Sequence, residues 1–247
     1  MARSRRRGAD GKITRGIDRH ALVERTIEFV ATQLPLWRDD PKRASVEAEE
    51  QLNSQLCKFL AARARCQFPM ASFHHEERQG KRRRVDMSAG PTLDAIEAAS
   101  YLESIYVPFL VMEGKRIPAP AAARRREYIT GFAERCGGMQ RFKLGLHGAK
   151  HETAVMIGYV QANESAFWWE TINQWIGELA RSDEDPTCAW KTSDQLEPLL
   201  DRGAAQASRC ESHHARTGAR KPGVIRLVHL WLRMNPTGDH RPTPSDH

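Results

Sequence analysis

Val111-Met112-Glu113-Gly114-Lys115-Arg116 is the stretch that decides the fold of this chain. It follows an apolar run, Ile105 to Met112, that predicts a buried strand. Side chains alternate across a strand, so Glu113 and Lys115 point to the same face. The pattern therefore places a carboxylate and an ammonium group side by side at the end of a core strand.

A second carboxylate is predicted beside this pair. Asp86 lies in the short segment Arg84-Val85-Asp86-Met87, which predicts another strand. Two acids and a lysine at one edge of a sheet suit a hard divalent cation, because Mg²⁺ takes oxygen ligands and keeps water molecules for chemistry. The sequence thus indicates a metal centre at Asp86, Glu113 and Lys115.

A glutamate further upstream is predicted to join this centre. Ser45 is the expected N-cap of a helix that buries Leu52 and Leu56. Glu49 shares the face of these leucines, whereas Glu50 is rotated toward solvent. An acid on the buried face is costly without a partner, and the metal centre would be one. The alternative is a solvated Glu49 that only stabilises the helix dipole.

These residues, in this order, resemble the PD-(D/E)XK nuclease superfamily, whose catalytic acid lies on one strand and whose (D/E)-x-K pair lies on the next. The resemblance covers Glu49, Asp86, Glu113 and Lys115, within residues 45–159. Two features depart from the usual motif. No proline precedes Asp86, and the interval to Glu113 is longer, with a helix predicted over 92–104.

The resemblance implies an α/β fold of the restriction-endonuclease type, a mixed β-sheet flanked by α-helices. It implies a metal-dependent deoxyribonuclease that hydrolyses DNA phosphodiester bonds, with defence against foreign DNA as the common role of such nucleases. Asp86 and Glu113 would bind Mg²⁺ or Mn²⁺, joined by Glu49 and the main-chain carbonyl of Gly114. Lys115 would deprotonate or orient the attacking water. The residues expected to hold the DNA backbone are Arg84, Arg116 and Arg141.

Composition favours a polyanionic partner. The chain has 247 residues and a mass of 28.0 kDa, with 38 Lys and Arg against 31 Asp and Glu, a formal charge of +7 and a pI near 9.4. DNA is the expected partner, while RNA and a homodimer stay open. No apolar run approaches the roughly 18 residues of a membrane span, so no membrane partner is expected. Five scattered cysteines without a Cys-x-x-Cys pair favour a reducing, cytoplasmic setting.

A single domain is predicted over residues 17–234, between a disordered basic arm at 1–16 and a disordered tail at 235–247. Its other predicted elements are a first helix ended by Pro35, an antiparallel hairpin over 68–87, helices over 121–136 and 166–179, and strands over 153–160 and 224–232. The polar stretch 181–223 is expected to form loops. The basic run 81–84 either protects a sheet edge or contacts phosphate.

Other sites and functions carry less weight. Cys188, Cys210, His213 and His214 could bind zinc, but only one paired ligand step exists where structural zinc sites usually have two. His229 is expected to be a satisfied, half-buried histidine. Two alternatives to a nuclease stay open: a non-catalytic nucleic-acid-binding module of the same fold, and a scaffold that pairs through the tryptophan-rich helix. No nucleophile elbow or Walker-type step supports serine hydrolase or motor chemistry.

Overall fold

The computed structural model describes residues 18–46, 48–79, 83–99, 102, 104–131, 137–182, 184–217 and 223–235. The predicted basic arm at 1–16 lies outside these residues, and so does the predicted tail except for Asn235. Within them, a six-stranded mixed sheet carries helices on both faces. The predicted α/β class is therefore confirmed.

The elements follow one another along the chain in a mixed order of helices and strands. The helices are α1 (Arg19–Arg38), α2 (Glu49–Gln67), α3 (Leu93–Ala98), α4 (Gly138–Lys143) and α5 (Ser165–Arg181). The strands are β1 (Ala71–Arg78), β2 (Arg84–Pro91), β3 (Leu110–Ile117), β4 (Thr153–Val160), β5 (Ser208–Ala215) and β6 (Val224–Arg233). Two 3₁₀ turns lie at Ala122–Arg124 and Thr192–Asp194.

The strands are arranged in the spatial order β1-β2-β3-β4-β6-β5. Strands β3, β4 and β6 run parallel, whereas β1-β2, β2-β3 and β5-β6 are antiparallel pairs. The β2-β3 ladder extends only from Ala89 opposite Leu110 to Met87 opposite Met112. Beyond Met87 the two strands separate, and Asp86 lies at the mouth of this gap.

A hydrophobic core lies on each face of the sheet. Helices α1, α2 and α3 cover one face, and α4 and α5 cover the other. Strand β3 shows the alternation directly, since Met112 packs in the first core and Val111 in the second. Glu113 and Lys115 continue the Val111 side, as the period-two pattern predicts, and thus lie on the face covered by α4.

The first two helices differ from their predicted bounds. Pro35 lies inside α1 and does not end it. The last turn is held by Trp37, which is buried, and by the Arg38 guanidinium, which donates to the carbonyl of Ala204 at 2.6 Å. These contacts outweigh the hydrogen bond that proline cannot donate. Ser45 is not the N-cap of α2, because the helix begins at Glu49 after Ala48.

Strand β3 begins at Leu110, not at Ile105. Residues 105–107 form an exposed turn, and Pro108, which lacks an N–H donor, precedes the strand. Glu113 and Lys115 therefore lie inside the strand and not at its end. The helix predicted over 92–104 is the shorter α3, whose first turn is capped by the Thr92 hydroxyl.

Two further predictions in the second half of the chain are wrong. The described part of 121–136 contains a 3₁₀ turn and tight turns in place of an α-helix, and residues 132–136 lie outside the description. The stretch 181–223 was predicted as loops but contains β5. Its buried positions are mostly polar (Ser208, Cys210, Ser212 and His214), so they do not produce the apolar alternation of an ordinary strand.

The remaining elements agree with prediction. The hairpin is β1-β2, the helix over 166–179 is α5, and the strands over 153–160 and 224–232 are β4 and β6. None of the described helices is both long enough and apolar enough to cross a membrane.

Candidate active site

Strand β3 brings an acid and a lysine into contact in the protein interior. Glu113 is fully buried and the Lys115 side chain is only 5% exposed. The Lys115 ammonium lies 3.3 Å from Oε1 of Glu113 and donates to Oε1 of Glu49 at 2.5 Å. Glu49 reaches this position because it is the first residue of α2, while Glu50 faces solvent. Glu49, and not Glu50, is therefore the acid that contacts Lys115.

The gap between β2 and β3 is filled by carboxylates. The Gly114 N–H donates to Oδ2 of Asp86 at 2.9 Å, and the Arg116 N–H donates to Oε2 of Glu49 at 3.1 Å. These are N–H groups of alternate residues, which point to the side from which β2 has departed. The carbonyl of an extended residue points to the same side as its N–H. The Gly114 carbonyl therefore faces the same gap as Asp86.

Glycine at position 114 allows α2 to approach the strand closely. A Cβ atom there would collide with Oδ1 of Asn53 and touch the ring of Tyr159. Asn53 lies on α2 and accepts a hydrogen bond from the Tyr159 hydroxyl at 2.7 Å, and both residues are buried. Because Gly114 has no side chain, α2 packs directly against β3 at this point. This packing places Glu49, at the start of α2, beside Lys115.

Two side chains on or just after α4 contact the carboxylate of Glu113. Arg141 of α4 donates to Oε1 at 2.8 Å, and Nδ1 of His147 lies 3.1 Å from Oε2. Helix α4 packs over the strand, since a Cβ on Gly138 would lie at an ordinary contact distance of 3.5 Å from the Lys115 side chain. Both oxygens of Glu113 are therefore engaged by groups on or just after α4.

The electrostatic balance of the cluster is uneven. Desolvation, followed by the negative charge of Glu113, raises the pKa of Asp86 to about 7. Burial would raise the pKa of Glu113, but Lys115, His147 and Arg141 lower it to about 2. Burial also opposes the charge on Lys115, but Glu113, Glu49 and Asp86 outweigh it and raise the pKa of Lys115 far above its ordinary value. Lys115 is an ammonium ion, and Asp86 is the carboxylate with least compensation.

The hard cation that the sequence predicts would take its oxygen ligands from the gap between β2 and β3. Among the described residues, no three His, Cys, Asp or Glu side chains form a group that could hold a metal ion. Mg²⁺ usually takes one or two carboxylates and keeps several waters, so a full protein cage is not required. Asp86, Glu113 and the Gly114 carbonyl supply hard oxygen donors around a partly exposed gap. This donor chemistry fits Mg²⁺ or Mn²⁺.

The three arginines predicted to hold DNA occupy different environments. Arg84 pairs with Glu76 across the β1-β2 hairpin and is 54% exposed. The Arg116 side chain is partly buried, and its backbone is bound to Glu49. Arg141 points inward to Glu113. The exposed Arg84 is therefore the one best placed to meet a phosphate.

Sequence reasoning missed His147 and Asn53. His147 lies in the turn between Gly145 and Gly148, where a polar residue carries no distinctive spacing. Asn53 follows the core residue Leu52 on α2, and only the contact with Gly114 reveals its role. Neither position could be identified without the tertiary structure.

A second buried polar cluster lies on the same face of the sheet, beyond α4. Lys143 donates to both oxygens of Asp194 at 2.9 and 3.0 Å, and Nδ1 of His214 lies 2.9 Å from Asp194. Nε2 of His214 is 2.7 Å from the Ser212 hydroxyl. This is the connectivity of a Ser-His-Asp triad, but all four residues are at most 2% exposed. Because no substrate reaches the hydroxyl, the cluster is structural.

The cluster continues across the sheet as a chain of hydrogen bonds. Ser212 Oγ lies 2.8 Å from Nε2 of His229, whose Nδ1 is 2.7 Å from the Tyr128 hydroxyl, and Trp231 donates to that hydroxyl at 2.8 Å. Burial lowers the pKa of both His214 and His229. When both imidazole rings are neutral, every group in the chain donates one hydrogen bond to the next. The order is Trp231, Tyr128, His229, Ser212, His214 and finally Asp194. His229 is therefore satisfied, as predicted, but fully buried and not half-buried.

The four residues considered as an alternative zinc site form no metal-binding group among the described residues. Adjacent strand residues point to opposite faces, so His214 is buried with Asp194 while His213 is exposed beside Glu197. Cys188 and Cys210 are buried free cysteines whose pKa values are raised, first of all by desolvation. Protonated thiols of this kind are poor zinc ligands.

We expect Glu49→Gln to weaken activity at the candidate site and Glu50→Gln to leave it nearly unchanged. Glu49 is bonded to Lys115 and to the backbone of β3, whereas Glu50 is exposed. If the site binds the Mg²⁺ that the sequence predicts, the deficit of Glu49→Gln should grow at limiting Mg²⁺, because loss of the Glu49 charge disturbs the neighbouring Lys115 ammonium. A Mg²⁺ titration of the expected DNA cleavage, carried out with both variants, measures this. A larger deficit in Glu50→Gln would contradict the placement.

Comparison of the chain with protein-family models, with curated proteins and with solved structures found no match.

Proposed function

We propose that the protein is a metal-dependent nuclease that hydrolyses DNA phosphodiester bonds, of the PD-(D/E)XK, restriction-endonuclease-like type. The observation that carries the proposal is Asp86 at the opening between β2 and β3. Its pKa is raised to about 7 by desolvation and by the charge of Glu113. Two like charges in one partly exposed gap are stabilised by a divalent cation. The formal charge of +7 suits a DNA substrate.

Each residue of the cluster has a role that follows from its contacts. Asp86, Glu113 and the Gly114 carbonyl would hold the Mg²⁺ or Mn²⁺ ion, which supplies an activated water and neutralises charge at the phosphate. Arg141 and His147 fix the Glu113 carboxylate, and Glu49 fixes the Lys115 ammonium. Lys115, being cationic, orients the attacking water and stabilises negative charge that develops on the phosphate. Deprotonation of the water by Lys115 is disfavoured by its raised pKa.

Incubation of the purified protein with supercoiled, linear and single-stranded DNA, and with RNA, tests the proposal. We expect cleavage in Mg²⁺ or Mn²⁺ and none in EDTA. The supercoiled and linear substrates separate internal from terminal cleavage. Cleavage that persists in EDTA would overturn the metal-dependent assignment, and failure to cleave any substrate in either metal would overturn the nuclease assignment.

Lys115→Ala should lower the turnover rate much more than it weakens substrate binding. The ammonium interacts mainly with charge that appears in the transition state, so its loss is expressed in kcat. Lys115→Arg should restore activity only in part, because a planar guanidinium cannot reproduce the contacts at 2.5 Å to Glu49 and 3.3 Å to Glu113. Steady-state kcat and KM of both variants measure the effect. Wild-type turnover in Lys115→Arg would show that charge alone suffices.

One observation favours a second candidate, a non-catalytic nucleic-acid-binding module. Both oxygens of Glu113 are already bonded, to Arg141 and His147, and Lys115 lies beside them. An acid satisfied in this way can serve a structural role without a metal. The second candidate predicts DNA binding that is insensitive to EDTA and to Asp86→Asn, whereas the nuclease predicts cleavage that is abolished by both.

A further inference from the structure

A cavity of about 240 Å³ lies at the edge of the sheet where β3 and β4 begin. It is formed where α1 begins and where β3 and β4 start. Its wall consists of Arg19, His20, Val23, Phe109, Lys150, His151, Glu152 and Thr153. Since a water molecule occupies about 30 Å³ in the liquid, this volume has room for a phosphate group and several waters.

The lining of the cavity is predominantly basic. Arg19 and Lys150 carry permanent positive charge, His20 and His151 add two imidazoles, and Glu152 is the one acid among the lining residues. Asp18 lies outside the lining and is the N-cap of α1, where its side chain accepts a hydrogen bond from the Ala21 N–H. The Asp18 carboxylate lies at the positive end of the helix dipole and partly offsets it, while the first turn of α1 itself contains no acidic residue. The balance of charge favours an anion.

His151 supplies the buried polar contact that a surface patch lacks. It is 7% exposed, and its Nδ1 is bonded to the carbonyl of Phe109 at 3.3 Å. Within the described chain, its Nε2 has no hydrogen-bond partner, although the residue lines the cavity. Burial, together with the charges of Arg19, Arg216 and Lys150, lowers the pKa of His151 to about 4. These three cations create a positive electrostatic potential at His151, and a bound anion would reduce that potential.

The loop that carries Lys150 and His151 is fixed before any ligand binds. The Arg216 guanidinium donates to the carbonyls of Gly148 and Ala149 at 2.8 Å and of His151 at 2.6 Å. Three bonds from one side chain lower the cost of ordering the loop on binding. The cavity is therefore a preformed recess.

We propose that this recess binds a phosphate monoester, the chemistry shared by the 5′-phosphate end of a nucleic acid and by a free nucleotide. Buried Val23 and Phe109 close the inner wall of the recess. A group at a chain end can enter a recess of this kind, whereas a continuous phosphodiester backbone would have to pass through it. Arg19 and Lys150 pair with the phosphate charge. A monoester has a second pKa of about 6, so one proton can be shared between a phosphate oxygen and Nε2 of His151.

Binding of oligonucleotides of about ten nucleotides, with a 5′-phosphate or a 5′-hydroxyl, tests the proposal. EDTA is present throughout, so the result does not depend on cleavage. We expect the wild type to prefer the phosphorylated end by about tenfold, as one or two charge-assisted hydrogen bonds provide. Thymidine 5′-monophosphate and inorganic phosphate serve as competitors that separate an end-specific site from one that takes any phosphate.

The double variant Arg19→Ala/Lys150→Ala should abolish this preference. Both residues are exposed, so their removal leaves the core intact. The double variant Lys58→Ala/Arg65→Ala removes the same charge from exposed positions that do not line the cavity, and it should keep the preference. Equal affinity of the wild type for both ends, with no competition by either small phosphate, would overturn the site. An equal loss of preference in the two double variants would also overturn it.

Discussion

Asp86→Asn and Glu113→Gln are each expected to abolish DNA cleavage. Both side chains keep their shape but lose the charge that would hold the proposed divalent cation. Such a cation would supply several kcal/mol of transition-state stabilisation, so we expect a fall in rate of at least about a thousandfold. Cleavage of supercoiled DNA at fixed Mg²⁺ measures this. Full activity in either variant would remove that carboxylate from the site.

The two variants should differ in stability, which separates loss of chemistry from loss of fold. Glu113→Gln removes a fully buried charge on which Arg141 and Lys115 depend, so it should be destabilising. Asp86 has a folded-state pKa of about 7, above its unfolded value of about 4. The folded chain therefore binds more protons between these pH values, and its stability falls as pH rises through them.

Asp86→Asn should not lose stability in this way as the pH rises, because asparagine does not ionise. In EDTA, it should be more stable than the wild type at pH 8, and the difference should shrink toward pH 5. Urea unfolding at the two pH values measures the difference. The same pH dependence in wild type and variant would show that Asp86 is not strained by its neighbours. Asp86→Asn is thus the cleaner of the two inactive variants.

Lys143→Met is expected to lower the free energy of unfolding by about 3–5 kcal/mol, as removal of one partner from a buried ion pair does. Lys143 and Asp194 are 1% and 2% exposed, and two hydrogen bonds join them. The variant leaves a buried carboxylate that, among the described residues, keeps hydrogen bonds from only His214 and the Lys191 N–H. Urea denaturation gives the loss directly.

The control for this variant removes the same charge from an exposed helical position. Lys58→Met should change stability by no more than about 0.5 kcal/mol. Adding Asp194→Asn to Lys143→Met should recover part of the loss, because the unpaired charge disappears. If Lys143→Met is no more destabilising than Lys58→Met, the buried cluster contributes little to the fold.

The elements that sequence predicted well are those with apolar side chains at a regular spacing. Strands β4 and β6 and helix α5 show this spacing, and their cores are almost wholly hydrophobic. The Glu-x-Lys step could be placed on one strand face because alternation is a local property of the backbone. Glu49 could be chosen over Glu50 because helix phase is local as well.

The features that sequence did not reveal depend on contacts between distant segments. Strand β5 escaped detection because its inward residues, including Ser212 and His214, are satisfied by hydrogen bonds to other elements. His147 meets Glu113 only because the loop after α4 folds back over β3. The basic side chain of Arg141 predicts a phosphate contact, but its position on α4 directs it to Glu113 in the interior. Tertiary packing, not local pattern, decides these cases.

Calorimetric titration of the metal-free protein with Mn²⁺ tests the central claim, which is that Asp86 and Glu113 hold a divalent cation. We predict that the wild type binds Mn²⁺ and that Asp86→Asn binds it at least about tenfold more weakly, as loss of a carboxylate ligand requires. Lys58→Ala, which lies on the exposed face of α2, should bind as the wild type does. Equal Mn²⁺ affinity in the wild type and Asp86→Asn would contradict the account.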